Sequence, residues 1–310
     1  MKVLVTGSSA YLAKVLLPLL CQRSAITKVI GIDIKPSQFK HDKFEAHIAD
    51  IRNPDIEKLF ENVDAVIHLA FVVLRSQLKA DRKNRNLVHD ININGSINVF
   101  ELANKANAKS LIHLSSAVVY GAKANNPELI KEDQPRKIMQ GFSYAEDKNE
   151  VEDWLELFEQ KTNMRIVRLR PHVILGPNSQ PFLMRLIQQP FYPALPEPQP
   201  TIQCIWEDDV ANAIMLALFS QTSGTYNLAA FPVLTFKQII QSTHRFSLPL
   251  PLKILGLLHR LLWKITGIAE EPGWLDGMQH SLAIDCQKAK NELAWQAKGD
   301  IIDKINALKK

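Results

Sequence analysis

A tyrosine and a lysine, Tyr144 and Lys148, stand about one helical turn apart in the chain. This spacing places both side chains on the same face of a helix. A free tyrosine has a pKa of about 10, and a nearby ammonium lowers it by stabilising the phenolate. The pair is therefore suited to general base catalysis on an alcohol. A surface helix with an incidental tyrosine and lysine would show the same spacing.

The N-terminal segment has the outline of a dinucleotide-binding βαβ unit. A strand at 2–5 leads into a turn over Thr6–Ala13 and an apolar helical segment at 15–20, and the next strand, 28–32, ends in Asp33. In such units the helix N-terminus holds the pyrophosphate and the acid accepts hydrogen bonds from a ribose. The carboxylate favours NAD over NADP because it repels a 2′-phosphate. A βαβ unit that binds no dinucleotide is the alternative.

Further apolar strand segments alternate with helical patterns, at 63–69, 111–115, 165–169 and 202–206. This alternation predicts an α/β fold, a doubly wound parallel sheet (Rossmann-like) with a smaller C-terminal substrate-binding cap. We expect a dinucleotide-binding domain over 1–175 and a mainly substrate-binding part over 176–310, with 201–230 returning to the sheet. Ligands of such folds bind at the carboxyl ends of the strands, where Ser116 follows the fifth strand.

Short motifs follow one another in an order typical of one enzyme family. They are Thr6–Ala13, Asp50-Ile51-Arg52, His68-Leu69-Ala70-Phe71, Asn92–Ser96, Ser115–Gly121, Tyr144–Lys148, Arg170–Pro177 and Asp208–Ala211. Each motif alone is weak, but their common order leaves little room for chance. The chain resembles the extended short-chain dehydrogenase/reductase family, the NAD-dependent epimerase/dehydratase group, nearly from end to end.

The resemblance implies a role for each matching residue. Ser116 would hydrogen-bond the substrate oxygen, Tyr144 would transfer its proton, and Lys148 would tune Tyr144 and hold the nicotinamide ribose. Asn92 is implied as a helix residue that supports a proton relay, with a helix-terminal cap as the alternative. The implied cofactor is NAD, held by Gly7, Ala10, Tyr11, Leu12, Asp33, Asp50, Ile51, Leu69, Ala70, Tyr144, Lys148 and Pro171. The resemblance also implies a homodimer through the helices that carry Asn92 and Tyr144.

Three departures from the family pattern bear on function. Ala10 replaces the second glycine of the turn, where a methyl group restricts φ and faces the phosphates, so we expect weakened but real NAD binding. Ala117 and Val118 replace the Asp-Glu pair of sugar dehydratases. Neither side chain transfers protons, which disfavours dehydration. The segment 193–203 lacks the glycines and the arginine typical of nucleotide-sugar enzymes.

Composition bounds the function classes. The net charge of +5 is modest and its densest basic stretch lacks interleaved aromatics, so no nucleic-acid partner is expected. Three cysteines without metal spacing, and a strand that begins at Lys2, predict a cytoplasmic protein without a metal. No apolar run reaches the roughly 18 residues of a membrane span. The amphipathic segment 253–265 is expected to be a cap helix, a hydrophobic pocket wall, or a peripheral membrane contact.

Together these features predict an NAD-dependent oxidoreductase or epimerase that moves a hydride between a secondary alcohol or ketone carbon and nicotinamide. The expected small-molecule substrate is a nucleotide sugar, with a hydrophobic (sterol- or isoprenoid-like) alcohol as the alternative. A non-catalytic NAD-sensing protein on the same fold is the rival interpretation. Ala10 supports that rival, whereas the intact Ser116, Tyr144 and Lys148 argue against it.

Overall fold

The computed structural model describes residues 1–73, 85–179, 191–194, 197–242, 248–251, 253–254, 256–257, 261, 273 and 277–307. The strands are β1 Lys2–Thr6, β2 Lys28–Asp33, β3 Phe44–Ile48, β4 Ala65–His68, β5 Ser110–Leu114, β6 Arg165–Pro171, β7 Val173–Leu175, β8 Phe191–Ala194, β9 Thr201–Ile202, β10 Cys204–Trp206, β11 Gly224–Leu228, β12 Leu234–Thr235 and β13 Leu248–Pro251. The α-helices are α1 Ala13–Gln22, α2 Arg85–Lys105, α3 Ser143–Glu159, α4 Glu207–Phe219, α5 Phe236–Ser242, α6 Gln287–Leu293 and α7 Ile301–Ala307. Two short 3₁₀ helices span Pro54–Phe60 and Ala117–Tyr120.

A seven-stranded sheet forms the centre of the molecule, in the order β11-β6-β5-β4-β1-β2-β3. All of its neighbouring strands run parallel. From β1, the chain adds β2 and β3 on one side and then β4, β5, β6 and β11 on the other side. The order of strands therefore reverses between β1 and β4, and doubly wound folds bind their ligands at such a point. The predicted α/β fold is therefore confirmed.

Side chains of the strands alternate between two cores, one on each face of the sheet. In β1, Val3 and Val5 belong to the core that contains α1 and α4, whereas Leu4 belongs to the core that contains α2 and α3. This follows from the two-residue period of a strand. Helices cover both faces of the sheet. Side chains of several elements can therefore meet at the carboxyl ends of the strands.

Short strand pairs outside the main sheet form the remaining part: β7 with β10, β9 with β12, and β8 with β13. The expected strand at 202–206 is thus divided between β9 and β10, and it is β11 that extends the main sheet. The boundary between 175 and 176 stays a prediction. Most of 253–265 lies outside the described residues. Within the part of the chain that is described, no helix is long and apolar enough to cross a membrane.

Candidate active site

Ser116 and Tyr144 meet at the carboxyl edge of the sheet. Ser116 lies two residues after β5, where its Oγ accepts a hydrogen bond from the Val118 backbone N–H at 3.2 Å. Tyr144 is the second residue of α3 and lines the same cavity as Ser116. Burial raises the pKa of Tyr144 above its ordinary value, and the nearby Ser116 hydroxyl offsets only part of this rise.

Lys148 lies one turn further along α3, but its ammonium is directed to other groups than the Tyr144 phenol. Its Nζ donates to the Leu114 backbone oxygen at 2.7 Å and lies 3.6 Å from the centre of the Phe71 ring. The Tyr144 ring centre is 6.0 Å away. Burial lowers the pKa of Lys148 to about 7, although the negative charges of Glu152 and Asp147 oppose the shift. The expectation that Lys148 lowers the pKa of Tyr144 is therefore wrong for the isolated chain. Burial has the largest effect on the pKa of both residues.

A buried ion pair between Glu152 and Arg170 connects α3 to the sheet. Glu152 lies one turn after Lys148, accepts from Ser115 Oγ at 2.6 Å, and is held by Arg170 at 2.8 and 2.6 Å. Burial by itself raises the pKa of Glu152, but Arg170, aided by Arg168 and Ser115, outweighs it and brings the pKa to about 2. Glu152 is therefore a fixed negative charge, which fastens α3 to β6 and to the end of β5.

Asn92 lies inside α2, so the helix-cap alternative does not apply to it. Its amide is engaged on both sides: Oδ1 accepts from the Val72 N–H at 2.8 Å, and Nδ2 donates to the Val72 oxygen at 2.9 Å and to Asp147 at 2.8 Å. Asp147 also accepts from Arg85 and His89. Asn92 thus joins the segment after β4 to the helix that carries Tyr144 and Lys148.

The turn after β1 needs glycine at one position and accommodates alanine at another. Gly7 has φ +71°, and a Cβ there would lie 2.7 Å from the Ala70 backbone nitrogen. Among the described residues, the positive φ values of residues other than glycine occur at Asn62, Asn107 and Ala294. Ala10 is not among them, so its methyl group creates no backbone strain.

The same turn has free hydrogen-bonding capacity where a diphosphate would bind. In the described part of the chain, neither the Tyr11 nor the Leu12 backbone N–H donates to a protein acceptor, and both precede the N-terminus of α1. Asp33 accepts from the Ser9 and Lys35 N–H groups at 2.9 Å each. A carboxylate has about four acceptor positions, so two remain for ribose hydroxyls. These residues fit NAD.

Asp50 and Ile51 follow β3, the strand that pairs with β2 and its terminal Asp33. Asp50 is bound by the Arg52 guanidinium at 2.5 to 3.1 Å, and this hydrogen bonding lowers the pKa of the carboxyl group despite its partial burial. Arg52 also reaches Asp90 at 2.6 Å. Ile51 is buried. Asp50 therefore stays ionised and is fixed in place by Arg52.

A cavity of about 400 Å³ opens at the carboxyl edge of the sheet. Of the predicted site residues, it is lined by Ala10, Tyr11, Leu12, Leu69, Ser116, Tyr144, Lys148 and Pro171. The predicted residues that do not line it are Gly7, Asp33, Asp50, Ile51, Ala70 and Asn92. The cavity therefore lies against both the predicted catalytic residues and the turn at 10–12 that is predicted to bind the cofactor.

Sequence reasoning missed three residues of the site. Phe71 stands where the family pattern has its second alanine, and its ring packs edge-on against Tyr144 at 5.6 Å and lies against the Lys148 ammonium. Glu152 was detectable, because a residue four positions after Lys148 shares its helical face. Glu207 lines the cavity and accepts hydrogen bonds from Asn178; no sequence signal marked it.

The buried histidines act as neutral packing groups. His68 bonds to Thr6 Oγ1 at 2.7 Å and to Ser96 Oγ at 3.0 Å, and burial lowers its pKa to about 3. Burial likewise lowers the pKa of His172 to about 4. Among the residues described, no group of His, Cys, Asp or Glu side chains is arranged to hold a metal ion.

Comparison with known proteins identifies the family of this chain. Residues 3–229 match the model of the NAD dependent epimerase/dehydratase family. The chain therefore belongs to that family and is an NAD-dependent enzyme of the extended short-chain class.

Individual relatives are more distant. An uncharacterized protein of Mycobacterium tuberculosis is 29% identical over 260 residues, which cover 80% of this chain and 67% of that protein. The human short-chain dehydrogenase/reductase family 42E member 1 is 26% identical over 69% of this chain and 57% of its own length. Among solved structures, the UDP-glucuronic acid 4-epimerase from Bacillus cereus in complex with UDP-glucuronic acid and NAD superposes with a TM-score of 0.76, at 20% identity, over 99% of this chain and 97% of that one. At this identity the likeness shows the fold alone.

Proposed function

We propose that this member of the NAD dependent epimerase/dehydratase family moves a hydride between a secondary alcohol carbon and nicotinamide, with Tyr144 as the proton-transfer group. The observation that carries the proposal is that Ser116, Tyr144 and Lys148 line one cavity, with Lys148 one turn after Tyr144 on α3. Bound NAD supplies the hydride acceptor or donor.

The chain's own residues would handle the oxygen and its proton. A substrate oxygen bound in the cavity near Ser116 and Tyr144 would accept a hydrogen bond from the serine and exchange a proton with the phenol. Lys148 would hold the ribose of the dinucleotide beside it. Asn92 acts through position, because its amide is already engaged by Val72 and Asp147.

The proposal does not include dehydration of a sugar. Ala117 is buried and Val118 lines the cavity, and neither side chain can transfer the additional protons that elimination of water needs. The solved structure named above is an epimerase in complex with a nucleotide sugar. Oxidation, reduction and epimerisation at a secondary alcohol remain the reaction types within this proposal. We extend it to a homodimer formed through α2 and α3 and to a cytoplasmic location, which the free cysteines of the described chain support.

The Tyr144→Phe variant tests the proposal because it removes the hydroxyl and keeps the ring. Turnover should fall by about a hundredfold or more, the usual contribution of a positioned acid or base, whereas NADH affinity should stay nearly constant. Turnover is followed with two probes: nicotinamide absorbance reports oxidation of 1-(2-naphthyl)ethanol or UDP-glucose, and chromatographic separation of UDP-glucose from its 4-epimer reports epimerisation, which leaves the nicotinamide unchanged.

Tyr226→Phe is the matched control. Its hydroxyl donates to Glu292 at 2.8 Å, and the residue does not line the cavity, so its turnover should stay within about twofold of the parent chain. A Tyr144→Phe protein with the turnover of the parent chain would remove Tyr144 from the mechanism.

A further inference from the structure

The wall of the cavity is predominantly apolar on the side where the substrate would lie. Side chains that contribute to it are Phe71, Val118, Phe142, Val173, Ile202 and Leu282. Resting on the proposed hydride transfer, we infer that the substrate is an uncharged, largely apolar secondary alcohol or ketone, and not a sugar carried on a diphosphate. Ligand sites of this kind combine apolar walls with a few polar groups that fix orientation, here Ser116 and Tyr144.

The charged groups of the described lining do not suit a diphosphate. They are Lys148 and Glu207. Lys148 already donates to the Leu114 oxygen and lies over the Phe71 ring. Glu207 presents a carboxyl group, which would repel a phosphate if ionised. Buried anions need paired cations, and arginine is the residue best suited to bidentate contact with phosphate; the described lining contains none.

Two polar side chains at or near the cavity are engaged by the protein backbone. His172 donates from Nε2 to the Leu282 oxygen at 2.9 Å, and its Nδ1 accepts from the Val173 N–H at 2.9 Å. Gln203 is fully buried, and its Oε1 accepts from the Ile284 N–H at 2.8 Å. Both ring nitrogens of His172 and the Gln203 oxygen are therefore occupied by backbone groups.

The segment 193–203 forms another part of this wall. Pro200, Thr201 and Ile202 line the cavity from this segment. Thr201 is tied into the chain, since its backbone N–H donates to Ser281 Oγ at 3.0 Å. The wall is thus fixed by protein contacts and offers a ligand mainly the apolar atoms of Ile202 and Pro200.

Binding to the NADH-loaded protein tests the inference directly. Two probes are titrated calorimetrically at saturating NADH: 1-(2-naphthyl)ethanol, a neutral apolar secondary alcohol, and UDP-glucose. The alcohol should bind, and UDP-glucose should neither bind at millimolar concentration nor displace the alcohol. Binding of UDP-glucose, or absence of binding by the alcohol, would overturn the inference.

A Val118→Glu variant supplies the second measurement. It adds a carboxylate to the cavity at a position where the family's dehydratases carry glutamate, so the fold should accept it. The affinity for 1-(2-naphthyl)ethanol should fall at least tenfold. The control Phe219→Glu changes an exposed residue at the far end of α4, about 18 Å along that helix from Glu207, and should change affinity less than twofold.

The outcomes separate this inference from the proposed function. If UDP-glucose is bound and turned over, and Tyr144→Phe still lowers its turnover a hundredfold, hydride transfer stands and the apolar substrate falls. An unchanged affinity of the Val118→Glu variant for 1-(2-naphthyl)ethanol also refutes the inference of an apolar substrate. NADH titration of each variant shows that the cofactor groove is intact.

Discussion

Replacement of His113 by phenylalanine should make the protein less sensitive to acid. His113 is fully buried on β5, and neither of its ring nitrogens has a hydrogen-bond partner. Its ring stacks on His68 at 5.5 Å and packs edge-on against Phe100 at 5.6 Å. Burial, together with the charge of Lys148, lowers the pKa of His113 well below its ordinary value of 6.5. A phenylalanine ring suits this aromatic surrounding without a titrating group.

The sign and size of the effect follow from proton linkage. In the unfolded chain the imidazole is protonated below about pH 6.5, whereas the folded chain holds it neutral. Stability is therefore complete above the unfolded pKa and is lost as the pH falls toward the folded pKa. At about 1.4 kcal/mol per pKa unit, a histidine that stays neutral in the folded state loses about 2 kcal/mol between pH 6.5 and pH 5. His68 and His172 act in the same direction.

Urea unfolding at pH 7.5 and pH 5.0, followed by tryptophan fluorescence, measures the free energy of unfolding. The loss between the two pH values should be about 2 kcal/mol smaller in His113→Phe than in the parent chain. Half-buried carboxyls with raised pKa, such as Glu132 and Glu207, are common to both proteins and cancel. Ile112→Val on the same strand should cost about 1 kcal/mol at both pH values. An equal pH-dependent loss in His113→Phe and the parent would refute the reasoning.

Two further predictions concern the cofactor turn and the assembly. Ala10→Gly should change the dissociation constant for NADH by less than about twofold, because Ala10 already has an unstrained backbone; a fivefold tightening in calorimetry, about 1 kcal/mol, would show that the methyl group obstructs binding. Leu157 is 62% exposed on α3, so Leu157→Glu should dissociate a dimer formed through α2 and α3, whereas Ile48→Glu on β3 should not. Light scattering during size exclusion measures this, and a parent chain that is monomeric at all concentrations would exclude the dimer.

The cofactor groove was predictable from sequence because its parts are close in the chain. Strand, turn, helix and acid are consecutive, and the structure has β1, the Gly7 turn, α1, and Asp33 at the end of β2 in that order. Local backbone requirements, such as the positive φ at Gly7, leave a direct trace in residue type. The order of the motifs then predicted the family, which the family match confirms.

The electrostatics of the site were not predictable in the same way, since they depend on groups distant in sequence. The surroundings of Lys148 come from Phe71 after β4 and from Leu114 on β5. The helical spacing to Tyr144 was evident, but its effect on the tyrosine was not, because burial depends on the assembled cavity. The segment 202–206 likewise looks like one strand locally and becomes two through its pairing with β7 and β12.

Burial also sets the protonation state of the proposed site. With the pKa of Tyr144 raised and that of Lys148 lowered to about 7, the phenol is protonated at neutral pH and the lysine charge is only partly available to stabilise a phenolate. A protonated Tyr144 and the Ser116 hydroxyl are two donors, which suits a carbonyl oxygen that gains negative charge. Removal of a proton from an alcohol needs the phenolate, which becomes more abundant as the pH rises. If Tyr144 is the proton-transfer group, we therefore expect the rate of alcohol oxidation to rise with pH above neutrality.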